Sequence, residues 1–461
     1  MLTEFARLIT TSANGIVPYM LGALMLTGLF LTIRLRFVQV TRFGEAIKET
    51  TASRQSGVNG ALAPLQSFMT ALAGSIGTGN IVGVATAIVQ GGPGALFWIW
   101  CYGFFAMATK FAEASLGLHF RVADGESVLS GPMYYLRDGL KQPWLAWIFA
   151  LIAGIACLFT TPITQPNSVA VVLSSQLKAH NLSLDSRPVA EKIVDRDCLV
   201  IGVVLAVLTW LVIVHGVKSI GSAAEKLSPL KVGLYLVGGT VVLVTHASEI
   251  PRVLGLVFSE AFSTRAGLGS AGGISIMMAI RYGIARGVYA NEAGYGTAAV
   301  AYGTAKSVRP EQQGLAAIVE VFIISFLTSS MSALAILVPD TWKSGALGPV
   351  AVPQAFNAAM PHVGGWMVAI SVLLFGYTTL IGWAYYGEQF LEYLFGPRII
   401  MPYRWLFCLL IPLGAVAKVD VVWDSGDLLN GLQILPNVIG LVGLSGIVAK
   451  YALRKKDPED A

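Results

Sequence analysis

The sequence predicts an all-α polytopic membrane protein with about eleven transmembrane helices. Hydrophobic residues make up 55% of the 461 residues and charged residues 12%, and the mean hydropathy is +0.68. A soluble domain carries about 25% charged residues. The chain also holds no charged side chain between Gln55 and Thr109. This composition indicates that lipid, rather than water, surrounds most of the molecule.

Apolar windows of roughly 20 residues define the spans, because a helix of that length crosses the hydrocarbon core. In chain order the predicted spans cover residues 17–33, 66–90, 94–120, 144–173 (with a break near Pro162), 199–214, 230–245, 270–288, 315–338, 365–386, 403–416 and 428–449. The first span follows the charged residues Glu4 and Arg7 and lacks a cleavage-site pattern, so we interpret it as a retained helix.

Basic residues are unevenly divided between the two sides that these spans define. About 21 lie on one side, with Lys231 at the start of the sixth span counted among them, and about 9 lie on the other, with Lys110 left inside a span. The positive-inside rule then predicts an amino terminus outside and a carboxyl terminus in the cytoplasm. The net charge of +5 arises from these loops, so it does not indicate nucleic-acid binding.

Several other function classes lack support in the sequence. The four cysteines and five histidines are scattered, without the spacing of a metal site, so we expect no structural metal and no cofactor. No grouping of nucleophile, base and acid suggests an enzyme. The pattern also lacks the repeated polar residues of a passive channel, and no feature specifies an oligomeric state.

The second span is interrupted by the segment GSIGTGN at residues 74–80. Its three glycines loosen the helix, and freed backbone groups at membrane depth are tolerated only where protein or a water-filled cavity satisfies them. Glycines also serve close helix packing. Together with Asn80 and a second broken span, however, they favour a discontinuous helix that binds a small solute and its coupling ion.

A second glycine-rich segment, GLGSAGG at residues 267–273, stands at the head of the seventh span. It lies five spans after the first break, in a span of opposite direction, which is the pattern of an inverted repeat. We therefore predict a single transmembrane domain over residues 1–461. It comprises a leading helix and cytoplasmic loop (1–60), a first five-helix repeat (61–248) and a second five-helix repeat (249–461).

Four motifs resemble those of the sodium:alanine (alanine or glycine:cation) symporter family. They are GGPGALFWIW at 91–100, IGTGNI at 76–81, NEAGYG at 291–296 and GWAYYGE at 382–388. The resemblance implies a bacterial inner-membrane symporter of the LeuT-like fold that moves alanine or glycine with sodium across the lipid bilayer. It also implies that the second and seventh spans correspond to the first and sixth core helices of that fold.

A zwitterionic amino acid needs donors for its carboxylate and acceptors for its ammonium group. We expect the unwound turn of Gly77, Thr78 and Gly79 to supply amide donors, aided by the positive end of the next half-helix, with Asn80 able to serve either purpose. The resemblance implies Gln165 in the fourth span as a further substrate ligand. The alternative is that Gln165 bonds backbone groups freed by neighbouring prolines.

The head of the seventh span is expected to complete the substrate site. Gly272 and Gly273 belong to the second predicted break. Ile276 and Met277 follow it and could form a small apolar wall beside the methyl group of alanine. Packing or lipid contact is the alternative for these apolar side chains.

Two adjacent hydroxyls, those of Thr378 and Thr379, lie in the apolar ninth span. Hard cations prefer oxygen ligands, although a helical threonine commonly bonds the carbonyl four residues earlier. The resemblance implies that this pair binds sodium together with the carbonyl oxygens of Ala73 and Ile76.

A proton-coupled or differently selective transporter of the same fold is the alternative function. Proton coupling normally places a titratable Asp or Glu near the midplane, and the second, fourth and ninth predicted spans hold none there. Arg281, Arg286, Glu292 and Glu320 are expected close to the cytoplasmic face. Two roles are possible for them: ion pairing in an inner gate, or snorkelling, in which the charged end of the side chain reaches the membrane surface.

Overall fold

The protein is almost entirely helical in the computed structural model, which describes residues 2–51, 61–124, 127–184, 195–262, 276–307, 309–345 and 348–454. The helices are α1 (Leu2–Arg34), α2 (Val38–Thr41), α3 (Phe43–Thr51), α4 (Pro64–Ser75), α5 (Val82–Gly91), α6 (Ala95–His119), α7 (Pro132–Tyr134), α8 (Pro143–Phe159), α9 (Thr161–Ala179), α10 (Arg196–Ile213), α11 (Val217–Thr245), α12 (Ile250–Glu260), α13 (Ile276–Asn291), α14 (Thr297–Gly303), α15 (Pro310–Phe322), α16 (Ser329–Leu337), α17 (Gly348–Ala359), α18 (Gly364–Phe395), α19 (Ile400–Val416), α20 (Val419–Gly443) and α21 (Ser445–Leu453). Strands β1 (Val122–Asp124) and β2 (Ser127–Leu129) form an antiparallel hairpin.

Among the described residues, eight helical segments are long and apolar enough to cross a membrane. They are Gly15–Arg34, Ala95–His119, Pro143–Ala179, Arg196–Ile213, Val217–Thr245, Pro310–Leu337, Gly364–Phe395 and Pro397–Val416. Two bent pairs also qualify, Pro64–Ser75 with Thr78–Gly91 (63°) and Val422–Gly443 with Ser445–Leu453 (61°). These ten segments coincide with ten of the predicted spans and confirm the all-α polytopic membrane architecture. The predicted seventh span corresponds to α13, which begins where the description resumes after residue 262.

Helices α6 and α18 form the centre of the bundle. α6 packs against α13, α14 and α15, and α18 packs against α4, α8, α9 and α11. α1 lies outside them, against α6 and α20. Large apolar side chains such as Leu26, Leu211 and Leu409 stay exposed on the peripheral helices α1, α10 and α19. Exposed leucines on long helices are expected where the surrounding solvent is lipid.

The long segment Pro143–Ala179 is interrupted as the sequence predicts. α8 ends at Phe159 and α9 begins at Thr161, with Pro162 in its first turn. Proline fits there because the first amides of a helix have no intrahelical acceptor. The interruption lets α9 present Thr161 and Gln165 to the interior of the bundle.

Candidate substrate and ion site

The first predicted break is present between α4 and α5. α4 ends at Ser75, a 3-10 turn covers Thr78–Asn80, and α5 starts at Val82. Gly77 lies in the extended connection, where an added Cβ would stand 2.7 Å from Thr379 Oγ1 and 3.0 Å from Gln165 Oε1. Only glycine therefore lets the backbone approach these two side chains so closely.

Side chains from other helices satisfy the backbone groups that this break frees. Gln165 Oε1 accepts from the amide of Thr78 at 3.0 Å and from its hydroxyl at 2.9 Å. Asn80 Nδ2 donates to the carbonyl of Ser75 at 3.1 Å. The hydroxyl of Ser332 donates to the carbonyl of Asn80 at 2.6 Å. The break is therefore a fixed part of the fold, as burial of unpaired backbone groups would otherwise be costly.

A second break separates α13 from α14. Glu292, Gly294 and Gly296 have positive φ angles of 55°, 98° and 84°. The amides of both glycines donate to Glu113 Oε1 on α6, at 2.9 and 3.0 Å. Asn437 on α20 donates to the same oxygen at 2.6 Å and to the carbonyl of Gly294 at 2.8 Å. One buried carboxylate thus fixes the turn through three donors.

This break differs in position from the glycine-rich segment that the sequence singled out. The predicted break at residues 267–273, with Gly272 and Gly273, lies outside the described residues. The signal for the observed one was the motif NEAGYG, in which two glycines flank a tyrosine and the first glycine lies two residues after an acidic residue.

A narrow cavity lies between the two breaks. Its widest part holds about one water molecule. The lining residues come from five segments of the chain: Gly74, Ser75, Gly77, Gly79, Thr161, Gln165, Tyr289, Glu292, Tyr295, Thr379, Trp383 and Asn430. Most of these side chains carry a polar group, so the cavity suits a small polar solute.

Glu292 contributes a buried carboxylate to the cavity. Its Oε1 accepts from the indole of Trp383 at 2.5 Å and its Oε2 from the hydroxyl of Thr297 at 3.0 Å. No Lys or Arg forms an ion pair with it within the described ranges. Because the carboxylate is buried and bonded inside the bundle, Glu292 does not snorkel. The side chain is buried at the break because the turn after α13 directs it inward.

Lys110 connects the two breaks from within α6. Its ammonium group donates to the hydroxyl of Ser75 at 2.8 Å, the carbonyl of Asn291 at 2.7 Å and Glu320 Oε1 at 2.6 Å. The other oxygen of Glu320 accepts from the hydroxyl of Tyr302 at 2.9 Å. Glu320 is fully buried, so it does not snorkel as the sequence had left open. Burying both partners is tolerable because each polar atom has a partner.

Arg286 lies behind the wall of the cavity. Its guanidinium group forms an ion pair with Asp427 on α20 and stacks over the rings of Trp423 (4.8 Å) and Tyr289 (5.6 Å). Tyr289 lines the cavity. The cluster therefore covers the cavity on the α13 side, between α13 and the first turns of α20.

The four predicted sodium ligands lie together. The hydroxyl of Thr379 donates to the carbonyl of Ala73 at 3.0 Å. The ammonium group of Lys231 donates to the carbonyl of Ile76 at 2.6 Å, to Thr378 Oγ1 at 2.6 Å and to the carbonyl of Ala73 at 3.2 Å. Lys231 is fully buried inside α11, so it does not belong with the loop residues of the basic-rich side among which it was counted. Its place within the predicted sixth span was the one signal for this burial.

The predicted substrate residues separate into two groups. Gly77, Gly79 and Gln165 line the cavity, and Thr78 and Asn80 are buried beside it. In contrast, Ile276 and Met277 are not brought to the cavity. Met277 is 67% exposed at the start of α13 and Ile276 is half-buried. They lie more than four helical turns before Glu292, so the expected apolar wall is not formed by them.

Comparison with known proteins agrees with this geometry. Residues 3–457 match the family model described as the sodium:alanine symporter family. The chain is 38% identical over 475 residues to the sodium/alanine symporter AgcS of Methanococcus maripaludis, covering 99% of this chain and 100% of that relative. The chain belongs to the sodium:alanine symporter family. This symporter is also 32% identical over 441 residues to the probable sodium/glutamine symporter GlnT of Bacillus subtilis, covering 94% of this chain and 87% of that one.

A solved structure supports the fold. The crystal structure of MhsT in complex with L-phenylalanine matches with a TM-score of 0.60 at 14% identity, covering 86% of this chain and 99% of that chain. The symporter therefore has the LeuT-like fold expected from its motifs. Its family comprises sodium-coupled transporters, so the protein is a multi-pass membrane transporter and not an enzyme.

Proposed function

We propose that this symporter imports a small neutral amino acid, alanine or glycine, with sodium by alternating access. The observation that carries the proposal is the narrow polar cavity between two helix breaks, lined from five segments. A cavity with so little free space favours the smallest amino acids. Even these require the lining side chains to move apart, and a larger substrate would require a larger movement.

The polarity of the cavity matches a zwitterion. Gly79 stands just before α5, and its amide has no acceptor among the described residues. An exposed amide at the positive end of a helix attracts a carboxylate. Glu292, on the opposite side, is a carboxylate without a cation partner and attracts an ammonium group. We therefore assign the substrate carboxylate to Gly79, with Thr78, Asn80 and the Nε2 amide of Gln165 nearby, and the ammonium group to Glu292.

Sodium coupling is proposed from the family and from the supply of uncharged oxygen atoms around the first break. The predicted ligands Ala73, Ile76, Thr378 and Thr379 belong to this supply of oxygens, although Lys231 donates to three of them in this structure. The family and its bacterial relatives support placement in a bacterial inner membrane. The uneven distribution of basic residues supports an amino terminus outside and a carboxyl terminus in the cytoplasm.

Proton coupling is the second candidate, and Glu292 is the observation that favours it. The argument against it relied on the absence of a carboxylate from the second, fourth and ninth spans, but Glu292 reaches the cavity from the segment after α13. A buried carboxylate in a transporter can carry a proton. Selectivity for another amino acid is a further alternative, since one relative is described as a probable glutamine symporter.

Uptake into proteoliposomes tests these alternatives. Radiolabelled alanine uptake should require an inward sodium gradient and should be inhibited by excess unlabelled glycine but not by glutamine. Equal uptake when potassium or choline replaces sodium on both sides would refute sodium coupling. Uptake driven by an imposed proton gradient alone would favour the proton-coupled alternative, and inhibition by glutamine would refute the proposed selectivity.

A further inference from the structure

The ammonium group of Lys231 lies in an unusual environment for a charge inside a membrane protein. It is fully buried and donates to two carbonyls, those of Ala73 and Ile76, and to the hydroxyl of Thr378. The ring of Phe375 lies 5.3 Å away. Within the described ranges no carboxylate pairs with it. The direct partners of this charge are therefore neutral oxygen dipoles and one aromatic face.

This set of partners is the kind that a hard monovalent cation takes. Both carbonyls lie at the unwound end of α4, where the helix stops and no backbone amide of the described residues donates to them. The hydroxyl belongs to α18. An ammonium group has three donors, and each is directed at one of these three oxygens. Hydrogen bonds to the two carbonyls do not by themselves require a charge, because a neutral amide side chain could also donate to them. The positive charge of Lys231 and its three donors therefore resemble a bound cation more closely than the hydrogen bonding of the backbone requires.

We propose that the ammonium group of Lys231 is a tethered cation that permanently occupies the position between α4 and α18 where a sodium ion would otherwise bind. Lys231 thereby supplies the positive charge that joins the broken span to α18. Two unit charges within about 3 Å of each other repel strongly in a low-dielectric interior. The transported sodium ion, whose existence rests on the proposed function, therefore binds at other oxygens of the protein.

Sodium binding to the purified full-length protein in detergent tests this proposal. The number of ²²Na⁺ ions bound per chain at equilibrium is compared between the wild type and Lys231→Met. We expect Lys231→Met to bind one additional ion, because removal of the ammonium group leaves its oxygens free. Lys226→Met is the matched control, because this lysine lies on the same helix but is exposed, and it should bind the wild-type number.

Two further variants keep the test decisive. If Lys231→Met does not fold, as judged by gel filtration, Lys231→Ala replaces it, because alanine removes the charge and leaves both carbonyls and the vacated space free for an ion. Adding Thr378→Val to the neutral variant should abolish the additional ion, since it removes one of the three oxygens. An unchanged number of bound ions in the neutral Lys231 variants would overturn the proposal, as would an additional ion that survives Thr378→Val.

The outcome can be separated from that of the proposed function. Wild-type protein that shows no sodium-driven uptake would contradict the proposed function. An additional ion in the Lys231 variants would still support the tethered cation, because binding is measured without transport.

Discussion

Replacing Gly77 by alanine tests directly whether the first break forms the wall of the substrate site. The new methyl group would stand 2.7 Å from Thr379 Oγ1 and 3.0 Å from Gln165 Oε1, about 0.7 and 0.4 Å inside ordinary van der Waals contact. Moving Thr379 away lengthens its 3.0 Å hydrogen bond to the carbonyl of Ala73. Overpacking of this kind costs about 1–3 kcal/mol. If that cost falls on the substrate-bound state, alanine affinity drops roughly 5- to 150-fold.

The assay is the half-saturation concentration for sodium-driven alanine uptake in proteoliposomes, measured with equal amounts of reconstituted protein. Gly233→Ala is the matched control, because Gly233 lies in the interior of α11 and its added Cβ would meet nothing within 4 Å. Glycine uptake should suffer less than alanine uptake from Gly77→Ala, since glycine lacks the methyl group that competes for space. A half-saturation concentration for alanine within twofold of the wild type would refute the placement of Gly77 at the substrate.

Three further variants probe the other parts of the site. Glu292→Gln should raise the half-saturation concentration for alanine about tenfold or more, because a charge-assisted hydrogen bond to the ammonium group is worth about 1.5–3 kcal/mol; unchanged uptake kinetics would contradict this role. Asn80→Ala should leave the protein folded but lower both its melting temperature and its alanine affinity, because the lost amide supports the break. A fluorescence melt measures the first effect and substrate competition the second. No change in either quantity would argue against this role. Asp427→Asn should weaken the ion pair with Arg286, which covers the cavity. A cysteine introduced in the cavity by Thr161→Cys should then be alkylated at least three times faster. An equal rate with and without Asp427→Asn would show that this pair does not close the cavity.

The first break could be predicted because its cause is local. Glycine spacing and a lack of charge in residues 74–80 destabilise a continuous helix whatever its neighbours are, and the hydroxyl pair Thr378 and Thr379 is visible in the sequence itself. The second break was harder to locate. Glu292–Gly296 follows a helix without a long apolar signature, and the turn there depends on Glu113, which is 179 residues away from Glu292 along the chain.

The sequence by itself determined that lipid surrounds most of the protein, and it determined the number and order of most spans, the family and one of the two breaks. These features depend on hydropathy and local backbone preference. Only the tertiary structure decided which charges face the interior. Lys231 and Glu292 stand near the ends of apolar windows, where a side chain can reach either solvent or core. The packing of α11 against α4 and α18 turns Lys231 inward, and the bend after α13 does the same for Glu292. Sequence periodicity cannot specify such choices, because they depend on partners that are distant along the chain.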